Sequence, residues 1–344
     1  VSEAGPGPDL AHHGDVEVRG SGLLDLAVNV HPLGPPPWLV EALRDAVDDV
    51  THYPDPTPAE AALARLHGRA EGEVLATAGA AEAFTLVARL RRWRHPVVVH
   101  PQFTEPHAAL LQAGHRVQAV LTRPETGHAL EPEAIPTDAD LVVVGNPTNP
   151  TGVLHPAALL RSLRAPGRVV VVDEAFMDAV PGEPESLASD ELEGLVVVRS
   201  LTKTWAIPGV RAGYLLANPS LRDELARLRT PWSVSSAASA AALAVTTTQG
   251  RAEQLRRARQ LQAWRRDLTA DLAAVGVGLE VPSQAPFVLA RVGCGVHARL
   301  RERGVAVRRC DTFPGLDDTV VRIATRPRPM TEVLLRELVG IAAC

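Results

Sequence analysis

Val196-Val-Val-Arg-Ser-Leu-Thr-Lys203-Thr-Trp-Ala-Ile-Pro-Gly-Val-Arg211-Ala-Gly-Tyr214 starts as an apolar run, turns through Pro208 and Gly209, and returns to small and apolar residues. It holds the only lysine of the chain, Lys203; every other cationic side chain is arginine. Arginine replaces lysine at a solvated surface. It does not replace it as a nucleophile, because a guanidinium keeps its proton in proteins. One retained ammonium points to amine chemistry, of which a Schiff base to an aldehyde cofactor is the commonest form. Ser200, Thr202 and Arg211 around it suit a phosphate.

Runs like the one that opens this stretch recur upstream: Val97-Val-Val99, Arg116-Val-Gln-Ala-Val120, Leu141-Val-Val-Val144 and Val169-Val-Val-Val172. Arg211-Ala-Gly-Tyr-Leu-Leu216 follows the turn. Segments that are β-branched on both faces belong in a sheet buried between helices. Their alternation with helical periodicity from Glu73 to about Ala217 predicts a mainly parallel α/β sheet. The polar residues that end such strands gather at one edge, where ligands bind.

Around this block the pattern changes. Residues 1–37 are rich in Gly, Pro and His and read as an arm with one short strand, Leu23–Val28, that packs with the small domain. Helices are expected at Trp38–Val47 and Ala59–Leu66, with Tyr53-Pro-Asp-Pro-Thr-Pro58 as a rigid loop between them. Residues 38–235 form the large domain of this reading and 236–344 the small α+β one. The small domain has an Arg-rich amphipathic helix at 251–272 with its charges on a solvated face. It also has weaker strands at Phe287–Ala290, Val305–Val307 and Val320–Ile323, and a last helix, Thr331–Ile341.

Composition narrows the function classes. With 46% hydrophobic and 22% charged residues among 344, the chain is an ordinary globular protein, too long for one core. Charges of both signs sum to -5, with no basic block of a nucleic-acid surface. No apolar run approaches the roughly 20 residues of a membrane span, and the first residues lack the pattern of a signal peptide. Cys294, Cys310 and Cys344 read as free thiols of a cytoplasmic protein. No metal site is expected.

Several further residues could carry chemistry. Asp173 closes a four-valine run, where a carboxylate needs a cation; a protonated pyridine nitrogen would serve, and a helix cap is the alternative. Asn149, in Asn146-Pro-Thr-Asn-Pro-Thr-Gly152, could donate to a phenolate or simply form a turn. In Thr77-Ala-Gly-Ala-Ala81, small residues let backbone N–H groups reach a phosphate at a helix start. Arg322 sits inside an apolar strand and could fork a carboxylate; Arg308, also after an apolar strand, could meet a second anion, and for either alone a surface salt bridge is the favoured alternative. Phe103 could lie flat on an aromatic ring or be plain core.

In this order, with Lys203 30 residues after Asp173, the residues resemble the fold-type I aminotransferases that use pyridoxal 5′-phosphate. The resemblance covers most of the chain. Asp173-Glu-Ala-Phe176, Arg199–Tyr214, Pro231-Trp-Ser-Val234 and Phe313-Pro-Gly-Leu-Asp317 carry it. It is closest to the threonine-phosphate decarboxylases of cobalamin biosynthesis and next to the histidinol-phosphate aminotransferases. It implies that Lys203 bonds the cofactor and Asp173 pairs with its ring nitrogen. Asn149 would contact the ring oxygen and Phe103 would stack on the ring. Gly79, Ala80, Ala81, Ser200, Thr202 and Arg211 would hold its phosphate. Phe176 stands where many relatives have tyrosine. Tyr53 would reach the phosphate of a neighbouring subunit, in a homodimer. Arg322 would bind the substrate carboxylate, and Arg308, His13 and Asn29 the phosphate of a small phosphorylated amino substrate. Loss of CO2 is the first expected outcome and amino transfer the alternative. A cofactor-binding regulator carrying DNA-binding helices is a further class, for which no basic recognition helix is visible.

Overall fold

A computed structural model describes residues 9–48 and 50–342. The readings of the first residues and of Cys344 lie outside them. Twelve strands occur among the described residues, in two sheets. In chain order they are β1 (Leu24–Leu26), β2 (Val74–Thr77), β3 (Pro96–His100), β4 (Gln118–Leu121), β5 (Leu141–Gly145) and β6 (Val169–Asp173). There follow β7 (Leu195–Ser200), β8 (Gly213–Leu216), β9 (Gly278–Leu279), β10 (Phe287–Arg291), β11 (Val305–Arg309) and β12 (Val320–Ala324). The helices are α1 (Pro37–Asp45), α2 (Thr57–Leu66), α3 (Ala80–Arg89), α4 (Glu105–Gln112) and α5 (Ala157–Ser162), then α6 (Pro219–Leu228), α7 (Ser236–Val245), α8 (Thr248–Ala274), α9 (Val296–Glu302) and α10 (Arg328–Ala342).

The seven-stranded sheet runs β2-β8-β7-β6-β5-β3-β4. Its pairings are parallel except where β8 inserts antiparallel between β2 and β7. This is the mainly parallel sheet that the valine runs predict. Val170, Val172 and Val197 face one apolar layer, and Val169, Val171, Val196 and Val198 the other. Two-sided burial explains why these strands do not alternate with polar residues.

The five-stranded sheet runs β1-β11-β12-β10-β9. β1 pairs parallel with β11, so the N-terminal segment joins the C-terminal strands. The expectation for the Arg-rich helix needs correction. Arg257 of α8 is 2% exposed and donates to the carbonyls of Thr204 and Gly34. Arg265 donates to those of Gln284 and Ala285. These guanidiniums face inward because they satisfy loop carbonyls that would otherwise be buried without partners.

The expected strand from Arg211 begins two residues late. Arg211 has φ 58° and so lies in the left-handed region, which ends the preceding turn. Among the described residues no helix is long and apolar enough to cross a membrane.

Candidate active site

Asp173 is the last residue of β6, and Lys203 lies in the turn that follows β7, its neighbour in the sheet. Parallel strands deliver both to one edge, as the topology requires. Asp173 is 7% exposed. Its Oδ1 accepts from Ala175 N at 3.0 Å, and Oδ2 has no hydrogen-bond partner among the described residues. Burial raises its pKa to about 6, against the pull of the Ala175 N–H and the Lys203 charge. A buried carboxylate with an open oxygen fits a protonated ring nitrogen. Burial lowers the Lys203 ammonium to about 8, helped by the cations of Arg322 and Arg211 and opposed by Asp173. An amine near 8 has a reactive neutral fraction at neutral pH.

A cradle for a phosphate is built beside Lys203. Ser200 pairs with Gly213 of β8, and Gly213 with Thr77 at the end of β2. A Cβ at Gly213 would stand 2.8 Å from Ala80 N, so only glycine lets these backbones approach. Gly79 caps α3 with φ 79°, leaving the N–H groups of Ala80 and Ala81 in the helix's first turn. A Cβ at Gly79 would lie 2.5 Å from Arg211 Nη2, which puts that guanidinium against the same helix start. Ser200 Oγ and Thr202 Oγ1, both buried, are 2.8 Å apart. Two hydroxyls, a helix N-terminus and a guanidinium together form a phosphate donor set.

Asn149 and Arg322 meet next to this cradle. Asn149 Oδ1 accepts from Arg322 Nη1 at 2.6 Å, which leaves the Asn149 amide N–H groups for another acceptor. A ring oxygen of the cofactor fits them. Arg322 also donates to the Ala27 carbonyl. Asn29, with its amide oxygen turned toward the guanidinium, accepts from Nε at 3.1 Å. Phe287 lies under Arg322, 5.3 Å from guanidinium carbon to ring centroid. Phe176 packs edge-on against Phe287 at 5.1 Å and belongs to that apolar cluster with Ala285.

Phe103 is tilted against Phe84 at 6.3 Å and His13 at 5.7 Å. His13 Nε2 lies 3.3 Å from Glu105 Oε2. Arg308 stands opposite Arg322 in register, but its terminal nitrogens are engaged. Nη1 donates to the Arg309 carbonyl, and Nη2 to the His12 carbonyl and Thr312 Oγ1. Its guanidinium lies over Phe313. Tyr53 stands apart, 77% exposed, its ring stacked on Trp232 at 4.4 Å and 26°.

The sequence reading missed residues that hold this site from behind. Arg199, 4% exposed on β7, pairs with Glu174 at 2.9 Å and Glu183 at 2.7 Å. Along β7, Val197 and Val198 face opposite apolar layers, and the alternation continues through Arg199 and Ser200. An arginine inside a valine strand, one residue from Ser200, was the available signal. His31, to which the sequence assigns no site role, also borders Lys203. Its backbone N–H donates to the Lys203 carbonyl at 3.0 Å, and burial with nearby arginines drives its imidazole down to about 3. Among the described residues no group of three or more His, Cys, Asp or Glu side chains could hold a metal ion.

Comparison with known proteins agrees with this geometry. The family model of class I and II aminotransferases matches residues 21–339. A histidinol-phosphate aminotransferase of Mycobacterium tuberculosis is 44% identical over 321 residues, 92% of this chain and 87% of the relative. A threonine-phosphate decarboxylase of Salmonella typhimurium is 32% identical over 330 residues, 92% of this chain and 90% of the relative. The fold superposes with a TM-score of 0.84 at 21% identity on a histidinol-phosphate aminotransferase from Sinorhizobium meliloti, covering 99% of each chain. The chain belongs to the class I and II aminotransferase family, as an enzyme of the fold-type I group whose cofactor is pyridoxal 5′-phosphate.

Proposed function

We infer that the chain is an aminotransferase acting on a small phosphorylated amine, with histidinol phosphate as the candidate substrate. The observation that carries this is the 44% identity to a histidinol-phosphate aminotransferase over nearly the whole chain. The motifs alone put the decarboxylase first; the 32% identity to that relative reverses the order.

When bound, the cofactor supplies an aldehyde for the substrate amine and a ring that takes up the electron pair released at Cα. The side chains do the rest. Ser200, Thr202, Arg211 and the α3 start hold the cofactor phosphate. Asp173 keeps a proton on the ring nitrogen. Asn149, held by Arg322, donates to the ring oxygen. Lys203 Nζ would take the Cα proton and return it two atoms further along, at the carbon that came from the cofactor's aldehyde. Arg322 anchors the anionic end of the substrate. Asn29 and His13 border that space; Arg308 joins them once a substrate anion replaces the His12 carbonyl. Tyr53 serves the phosphate of a second copy, so the working form is a homodimer. The division into arm, 38–235 and 236–344 is part of this reading, supported by the two sheets, as is a cytoplasmic setting.

The second reading is decarboxylation of threonine phosphate in cobalamin biosynthesis. Ala206-Ile-Pro-Gly209, Pro231-Trp-Ser-Val234 and Phe176 favour it. One experiment separates the two. Holoenzyme is given histidinol phosphate with 2-oxoglutarate, and separately threonine phosphate alone. Glutamate formation in the first supports the proposal. Release of CO2 from the second, without amino transfer in the first, replaces it with the decarboxylase.

A further inference from the structure

Four arginines crowd residues 89–94 of the sequence, and the fold brings a fifth beside them. α3 ends in Arg89 and runs into Arg91, Arg92 and Arg94 before β3, while the loop after α4 brings Arg116 alongside. These five arginines line one groove of about 1330 Å³, together with His115, Trp93 and small residues. None of its lining residues is acidic.

All five guanidiniums are exposed, and none makes an ion pair or donates a side-chain hydrogen bond. Arg91 alone has a contact, over the Trp93 ring at 4.9 Å. Some other exposed arginines take carboxylate partners, as Arg161 does with Asp190, Arg256 with Glu253 and Arg328 with Glu332, and others, such as Arg227 and Arg259, do not; what sets these five apart is that they share one concavity. Five like charges in one concavity repel each other and focus a positive potential outward. An anion bound there relieves the repulsion.

The surroundings limit what that anion is. Asp138 and Asp140 stand on one side of the arginines, and Glu191, Glu193 and Glu224 on another. An extended polyanion, such as a nucleic-acid strand or a lipid surface, would meet these carboxylates. Of the two aromatic rings in the groove, Trp93 is 4% exposed and His115 is half-buried and tied through Nε2 to the Ala88 carbonyl, so the groove offers no row of open rings for successive bases. A short acidic stretch flanked by other residues fits both the basic groove and its mixed rim.

We propose that the groove docks a short acidic segment of a protein partner. It lies at the N-terminal ends of the parallel strands, while Lys203 follows a C-terminal end. A five-residue strand separates the two edges by roughly 16 Å, so docking leaves the site itself free.

The test uses holoenzyme and a fluorescein-labelled oligoglutamate peptide, read by anisotropy. The expected result is saturable binding that weakens with added salt. It should fall at least about tenfold in the Arg91→Glu/Arg92→Glu double variant, with melting temperature and turnover unchanged. The neutral Arg91→Ser/Arg92→Ser pair should fall in between and guards against a misfolded reversal variant. No binding, equal binding by both double variants, or tighter binding of an oligouridylate or of phosphatidylserine vesicles than of the peptide overturns the proposal.

Discussion

Arg322 Nη1 lies 2.6 Å from Asn149 Oδ1, so β12 of the five-stranded sheet is hydrogen-bonded to the turn after β5 of the other. In the proposed function, one bond would thereby join the group that anchors the substrate anion to the group that meets the cofactor ring. Arg322→Lys keeps the charge but loses the fork that also reaches Ala27 and Asn29. Losing a charge-assisted bond of ~2–3 kcal/mol predicts roughly 30- to 150-fold weaker substrate binding. Asn149→Ala should instead shift the cofactor absorbance band, with a smaller change in KM. Equal effects of both variants on KM would contradict this division of labour.

Lys203 is expected to be the sole site labelled when holoenzyme is treated with borohydride and mapped by mass spectrometry. Lys203→Ala should lose the label and at least about a thousandfold in turnover. Because its ammonium sits near 8, capture of added cofactor by the apoenzyme should accelerate as pH rises through that value. Arg322→Gln removes a cation that depresses the pKa, so the midpoint should move up.

Asp173 gives a stability prediction with a defined sign. Its pKa is about 6 in the folded chain against 3.8 as the reference, so the folded state prefers the protonated form. The penalty for ionising it grows between pH ~4 and ~6 and is complete above, at about 3 kcal/mol. Asp173→Asn should raise the apoenzyme's melting temperature at pH 7.5 and not at pH 3.5, while nearly abolishing activity. An unchanged or lower melting temperature at pH 7.5 would count against the uncompensated buried charge.

Gly79→Ala sets a Cβ 2.5 Å from Arg211 Nη2 at a φ of 79°. With ψ 169° this is a backbone region almost reserved to glycine, and the strain alone costs roughly 1–3 kcal/mol. Cofactor affinity, measured by dialysis and absorbance, should fall tenfold or more. Retained affinity would place the phosphate elsewhere.

Tyr53 and Trp232 form an exposed stack, and Trp232 holds a φ of 58°, unusual for a bulky residue. If the stack presents Tyr53 to a second copy, Trp232→Ala should weaken both self-association by light scattering and cofactor retention. A monomeric, fully active parent protein would remove this role.

The parts of the site visible in the sequence are those that strand ends dictate. Asp173 closes a valine run and Lys203 is compositionally unique, so each is marked locally. The two apolar layers were legible for the same reason. Contacts made across long separations were not. That the arm's His12 carbonyl engages Arg308, 296 residues away, depends on packing that no local pattern records. The Arg199 pairing was missed because a charged residue in a buried strand signals burial without naming its partner. Arg116 joins the groove beside Arg92 only through the course of α4, so the sequence shows four of the five arginines together and not the fifth.

The arginine-only exterior has a bearing on chemical modification. Acylation, glycation and isopeptide tagging of lysine find a single side chain on this protein, partly buried at the floor of the pocket. If Lys203 acts as proposed, any such mark would silence the enzyme.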